Sequence, residues 1–128
     1  MEGQKKRVLY VDDEMFSLEL FILSYEEDFD IIIATSAEKA IEILENHEIP
    51  VVVSDLKMPG MNGLELIEII KNKWPRTICM LLTAYIESDV LLKALNQEMI
   101  FRYLLKPWSR KELKNTIDSA FERFQQQN

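Results

Sequence analysis

Five short apolar runs, each followed by a longer stretch with helical spacing, recur along the whole chain, and this alternation restricts its folding more than any other feature. The runs are Val8 to Val11, Ile31 to Ala34, Val51 to Ser54, Ile78 to Leu82 and Tyr103 to Leu105. Each is nearly continuous in apolar side chains, the pattern of a strand in a parallel sheet covered on both faces. The first helix, from about Glu14 to Glu27, carries Phe16, Leu18, Leu20, Phe21, Ile22 and Leu23, spread too widely around the wheel to define one face. The second opens at Ser36, a good N-cap residue, with Ala37, Ala40, Ile41 and Leu44 at helical spacing. A third follows Gly63 with Leu64, Ile67, Ile70 and Trp74 in register, and Pro75 keeps it from running into the next strand. The fourth spans about Ser88 to Leu95. The fifth starts at Ser109, where a capping box ends at Glu112, and Leu113, Ile117, Ala120, Phe121 and Phe124 form its apolar stripe. Strand–helix units with short connections predict right-handed crossovers and an α/β fold built on a doubly wound, five-stranded parallel sheet. Ligands of such sheets bind beyond the carboxyl ends of the strands, where strand order reverses.

The chain has 128 residues, of which 48% are hydrophobic, enough to close one core without a metal or disulfide staple. It reads as one domain over residues 1–124, with 125–128 as a polar tail or the start of a linker. With 22 acidic against 15 basic residues the net charge is −7, which argues against direct nucleic acid contact. The lone Cys79 cannot form an internal disulfide, and the N-terminus does not resemble a signal peptide, so a cytoplasmic location is expected. No apolar run approaches the roughly 20 residues that span a bilayer.

Polar residues gather where the strand-end rule points. Asp12 and Asp13 follow the first strand, Asp55 the third, Thr83 the fourth and Lys106 the fifth. Any one of them alone reads as a turn residue, a helix cap, a loop hydroxyl or a solvated charge. Together they would be collected by one fold. Clustered carboxylates raise one another's pKa unless a cation offsets them, and oxygen ligands of this kind suit magnesium. Zinc is disfavoured, because His47 and Cys79 lie apart and each is the only one of its type. A hydroxyl and an ammonium beside a magnesium-bound carboxylate are what a phosphoryl group on Asp55 would need.

The motifs Val-Asp-Asp-Glu at 11–14, Ser-Asp-Leu-Lys-Met-Pro-Gly-Met-Asn-Gly at 54–63, Leu-Thr-Ala at 82–84 and Lys-Pro-Trp at 106–108 resemble those of the receiver domain of bacterial two-component response regulators. The resemblance covers nearly the whole chain. It implies a flavodoxin-like strand order, 2-1-3-4-5, and phosphotransfer from the phosphohistidine of a sensor kinase or phosphotransfer protein to Asp55. It further implies magnesium held by Asp12, Asp13, Asp55 and the backbone carbonyl of Lys57, with Asp13 favoured over Asp12 as a direct ligand. Thr83 and Lys106 would bind phosphoryl oxygens, and Tyr103 would be the switch aromatic that changes burial when Thr83 moves. The Lys106–Pro107 bond is expected to be cis. Output would pass through the face made by the fourth helix, fifth strand and fifth helix, beside Ile100, Phe101 and Trp108, to an output domain, a downstream protein or a second copy. Such a domain promotes only its own phosphorylation and dephosphorylation, and is not otherwise an enzyme.

Three features depart from the common pattern. The segment Gln97 to Arg102 lacks the Gly-Ala-Asp type of turn of members that dimerise on DNA, and looks more like a subgroup joined to hydrolase, kinase or ATPase modules. Lys57 sets a cation beside the site, and Tyr85 is bulky where it could shade the phosphoryl group. The competing readings are a magnesium-dependent phosphatase and an interaction domain that is never phosphorylated. Phosphatases of that kind usually place the nucleophile and a second Asp two residues apart after the first strand, whereas Asp12 and Asp13 are adjacent. The complete set of site residues disfavours the interaction domain.

Overall fold

The computed structural model describes residues 5–84, 93 and 97–127. Its elements are β1 (Lys6–Val11), α1 (Met15–Tyr25), β2 (Phe29–Ala34), α2 (Ala37–Asn46), β3 (Val51–Asp55), α3 (Gly63–Lys73), β4 (Ile78–Thr83), β5 (Arg102–Leu105) and α4 (Arg110–Gln126). The helix expected over 88–95 lies outside the described residues apart from Lys93. The strands form one parallel sheet in the order β2-β1-β3-β4-β5, as expected. Strand order reverses between β1 and β3, whose register pairs Val11 with Ser54. The residues that follow, Asp12 and Asp55, therefore emerge side by side.

Continuous apolar runs are explained by a core on each face. Leu9, Val11, Val52, Cys79 and Leu81 point towards α2 and α3, while Val8, Tyr10, Val51, Val53, Met80 and Leu82 point towards α1 and α4. Every residue of β3 and β4 is buried, but Ile31 to Ile33 of β2 are only half-buried and β5 ends exposed at Leu105. Two-sided burial thus holds for the inner strands and fails at the sheet edges, where one flank has no neighbouring strand.

The helices follow their stripes. In α1, Leu18, Phe21 and Tyr25 are buried, whereas Phe16 and Leu23 are 76% and 74% exposed. The wide apolar spread in the sequence is therefore one core stripe plus a separate exposed set. Ser36 caps α2 by accepting from the Lys39 amide at 3.2 Å. Helix α3 begins with a full capping box that the sequence reading did not identify, Asn62 Oδ1 accepting from the Glu65 amide and Glu65 Oε1 from the Asn62 amide, both at 2.9 Å. Ser109 accepts from the Glu112 amide at 3.2 Å, and α4 buries Leu113, Ile117, Ala120 and Phe121. That helix continues to Gln126, past the point where the sequence turns polar.

Gly63 fixes how closely α3 approaches β3. Its amide donates to the Leu56 carbonyl at 2.8 Å, and a Cβ there would run into the Asp55 carbonyl oxygen and come within 3.1 Å of Leu56 Cα. Backbone on backbone cannot yield as a side chain can. Gly63→Ala should therefore lower stability by about 2 kcal/mol or more, read as a lower urea midpoint in metal-free protein. An unchanged midpoint would show that this approach does not constrain the fold.

Candidate functional site

Of the five parallel strands, β1, β3, β4 and β5 deliver the site at their carboxyl ends. Asp12 leaves β1 with its amide donating to the Ala34 carbonyl of β2 at 3.1 Å, and its Oδ1 accepts from the Glu14 amide at 3.0 Å. This is an Asx-type turn that steers the chain into α1, so Asp12 fills the ordinary structural role and a site role together. Asp55 closes β3 and Thr83 closes β4, while the Lys106 amide donates to the Thr83 carbonyl at 2.8 Å. The Lys106–Pro107 bond is cis, as the resemblance implies.

Side chains then converge. Carboxylate oxygens of Asp12, Asp13 and Asp55 lie within 4.8 Å of one another. Asp12 is fully buried, Asp55 nearly so, and Asp13 is exposed. The Lys106 ammonium stands 2.7 Å from Asp12 Oδ2, 3.6 Å from Asp55 Oδ1 and 3.9 Å from Glu14 Oε1. Asp55 Oδ1 also accepts from the Leu56 amide at 3.0 Å. Burial pushes the Asp55 carboxyl up to about 6, with the Asp12 and Asp13 charges adding to the rise and Lys106 and the Leu56 amide opposing it. Burial would lower the Lys106 ammonium, but its hydrogen bond to Asp12 and the surrounding carboxylates outweigh that and raise it. Three carboxylates against one ammonium leave the site short of positive charge. Hard oxygen donors in that balance fit a divalent cation such as magnesium.

The other expected residues fall as follows. Thr83 is buried at the rim. Lys57 is exposed in the loop after β3, next to the buried Leu56 and Met58. Tyr103 is half-buried, packed on the α2 and α3 side. Tyr85 lies outside the described residues. Ile100 is core rather than docking surface, and Phe101 is half-buried with the Arg102 and Arg123 guanidinium carbons 4.2 and 5.2 Å from its ring centroid. Of the apolar pair expected on the output face, Ile100 is therefore removed by the structure. Trp108 is partly buried against the α1 side, and Trp74 against the other. His47 is exposed at the end of α2 and Cys79 is buried in β4, so neither approaches the carboxylates.

One residue of the site escaped the sequence reading. Tyr10, fully buried in β1, donates its hydroxyl to Asp12 Oδ2 at 2.7 Å. Residues two apart on a strand share a face, so a tyrosine two before the first strand-end Asp was the available signal. It read as core because the run around it is apolar.

Comparison with known proteins agrees with this geometry. The family model described as "Response regulator receiver domain" matches residues 8–118. Among curated relatives, the hydrogenase transcriptional regulatory protein HoxA of Cupriavidus necator is 30% identical over 95% of this chain and 25% of its own length. The DNA-binding transcriptional regulator NtrC of Proteus hauseri is 32% identical over 97% and 26%. The chain thus spans about a quarter of the length of these relatives, whose names describe the longer proteins. Among solved structures, the signal receiver domain of an HD domain-containing protein from Pseudomonas fluorescens superposes with a TM-score of 0.91 at 28% identity, covering 97% of this chain and all of that one. The response regulator TrrA of Thermotoga maritima, solved with Mg2+ and BeF, gives 0.81 at 31% identity over 90% and 98%. No helix among the described residues is long and apolar enough to cross a membrane.

The raised Asp55 carboxyl has a consequence for stability. Between its ordinary 3.8 and about 6, the folded chain holds a proton that the unfolded chain has released, so this group's contribution to stability falls as pH rises through that window. Asp55→Asn carries no charge and escapes the loss. In metal-free buffer it should be more stable than wild type by about 1–2 kcal/mol at pH 7, and the difference should vanish towards pH 4. Equal denaturation midpoints at pH 7 would contradict the electrostatic picture of the site.

Proposed function

The chain belongs to the response regulator receiver domain family, and from that premise we propose that Asp55 is the phosphoacceptor of a phosphorylation-dependent switch. The donor would be the phosphohistidine of a sensor kinase or phosphotransfer protein, and Mg2+ would be held by Asp12, Asp13, Asp55 and the Lys57 carbonyl. The observation that carries the reading is the Lys106 ammonium set between Asp12 and Asp55 beside a third carboxylate.

A carboxylate oxygen of Asp55 attacks phosphorus, the bond from phosphorus to the histidine nitrogen breaks, and that nitrogen keeps the electron pair. Asp55 Oδ1 accepts from the Leu56 amide and faces the Lys106 ammonium, and these contacts hold the carboxylate in place for the attack. Magnesium, when bound, offsets the carboxylate and phosphoryl charge that would otherwise oppose the approach of a dianionic group. Once the phosphoryl group is in place, Lys106 exchanges Asp12 for one of its oxygens and the Thr83 hydroxyl serves another. Thr83 moves towards the phosphoryl group, and Tyr103 enters the space it leaves, so the surface around β5 and the start of α4 changes. Lys57, exposed in the loop after the acceptor, would tune how long the phosphoryl group survives, as would Tyr85. The domain acts as a switch for an output domain or downstream protein. The phosphatase and unphosphorylated readings find no support in the family assignment.

Two measurements test this. Incubation with a small phosphodonor should label Asp55 only when Mg2+ is present, as mapped by mass spectrometry. Label that persists in Asp55→Asn would move the acceptor elsewhere. Lys106→Ala should bind Mg2+ at least as tightly as wild type, because a competing cation is gone, while its conformational response to phosphorylation weakens. An undiminished response would remove Lys106 from the switch.

A further inference from the structure

We propose that Tyr10 is a positioning residue for the switch, holding the Asp12 carboxylate when Lys106 leaves it for the phosphoryl group. The inference rests on the role given above to Asp55 and extends it to a side chain in the strand interior. Asp12 is fully buried, and its Oδ2 accepts two short hydrogen bonds, from Tyr10 Oη and from Lys106 Nζ, each at 2.7 Å. The two donors differ in kind. Lys106 hangs on a flexible stem, with Asp55 already 3.6 Å away. The Tyr10 ring is immobilised, stacked on Phe21 with centroids 4.3 Å apart and met edge-on by Trp108 at 6.3 Å.

A buried carboxylate that loses a charged partner with nothing in its place is strongly destabilised. With Mg2+ offsetting charge at the site, transfer of Lys106 would still leave the buried Oδ2 short of a hydrogen bond if it had no other donor. The Tyr10 hydroxyl remains, because its position is set by Phe21 and Trp108 rather than by Lys106. A tyrosine phenol is protonated at neutral pH, so it keeps donating. Without the hydroxyl, Asp12 would retain Lys106 more tightly and resist the transfer.

The test is a double-mutant cycle on the intact chain, reading the affinity for beryllofluoride, a phosphoryl mimic, at saturating Mg2+. Tyr10→Phe keeps the stacked ring and removes only the hydroxyl. In the wild-type background it should weaken mimic binding about fivefold to tenfold. Combined with Lys106→Ala, where no ammonium is transferred, it should change mimic affinity by less than about twofold. Affinity for Mg2+ alone, measured by calorimetry without the mimic, should stay within about twofold of wild type, since Lys106 has not then left Asp12. An equal loss in both backgrounds, or an equal loss in Mg2+ affinity alone, would make Tyr10 a general support of the acidic site and overturn the inference. No effect of Tyr10→Phe in either background would overturn it too, while leaving the Asp55 assignment intact. Failure of the wild-type chain to bind the mimic with Mg2+ would defeat the Asp55 reading and this inference with it.

Discussion

The Lys106 ammonium, 2.7 Å from Asp12 and 3.6 Å from Asp55, is the contact through which the sheet, the acidic site and the switch depend on one another. Its amide is bound to the Thr83 carbonyl at the end of β4, so its reach is set by the register of the last two strands. Asp12 and Asp55 are set by the register of β1 on β3. Shifting either pairing by one residue would turn these side chains to the other face and leave a buried carboxylate unpaired. One ammonium cannot balance three carboxylates. Burial raises the Asp55 carboxyl and the Asp12 and Asp13 charges add to the rise; in the proposed switch the shortfall suits the site to a divalent cation and then to phosphoryl oxygens that would draw Lys106 away.

Support for this arrangement extends beyond the charged residues. Gly63 lets α3 lie against the backbone of Asp55, which fixes the loop carrying Lys57 to Asn62. On the other face, Tyr10, Phe21, Tyr25 and Trp108 form a chain of ring contacts. The Tyr25 hydroxyl donates to the Arg110 carbonyl at 2.8 Å, and Arg110 Nε donates to the Ser24 carbonyl at 3.1 Å. The start of α4 is thereby tied to the end of α1, and both are tied through Tyr10 to Asp12. The exposed apolar residues of α1, Met15, Phe16, Leu20 and Leu23, take no part in this chain.

The strand-end carboxylates, Thr83 and Lys106 were legible because chain order alone places them: each follows an apolar run, and a doubly wound sheet collects such positions at one rim. The inner strands were legible for the same reason, since two-sided burial leaves a continuous apolar run. Edges were less so. Phe29 and Asp30 open β2 ahead of its apolar run, and Arg102 opens β5 with an exposed side chain, because an edge strand need not be apolar on both faces. Tyr10 was missed because its ring belongs to the core and only its terminal atom belongs to the site. Ile100 read as a candidate surface residue because it falls beside the expected output face, yet the Phe101 amide bonded to the Cys79 carbonyl at 2.8 Å carries that segment along β4 and turns Ile100 inward.

In the proposed switch one ammonium is handed from Asp12 to a phosphoryl group on Asp55, and a crystal structure of the chain with Mg2+ and beryllofluoride would show the transfer. Lys106 Nζ should lie within hydrogen-bond distance of a fluorine on Asp55 and be withdrawn from Asp12 Oδ2, with the Tyr10 hydroxyl still on that oxygen. Lys106 remaining at 2.7 Å from Asp12 with the mimic fully bound would contradict it.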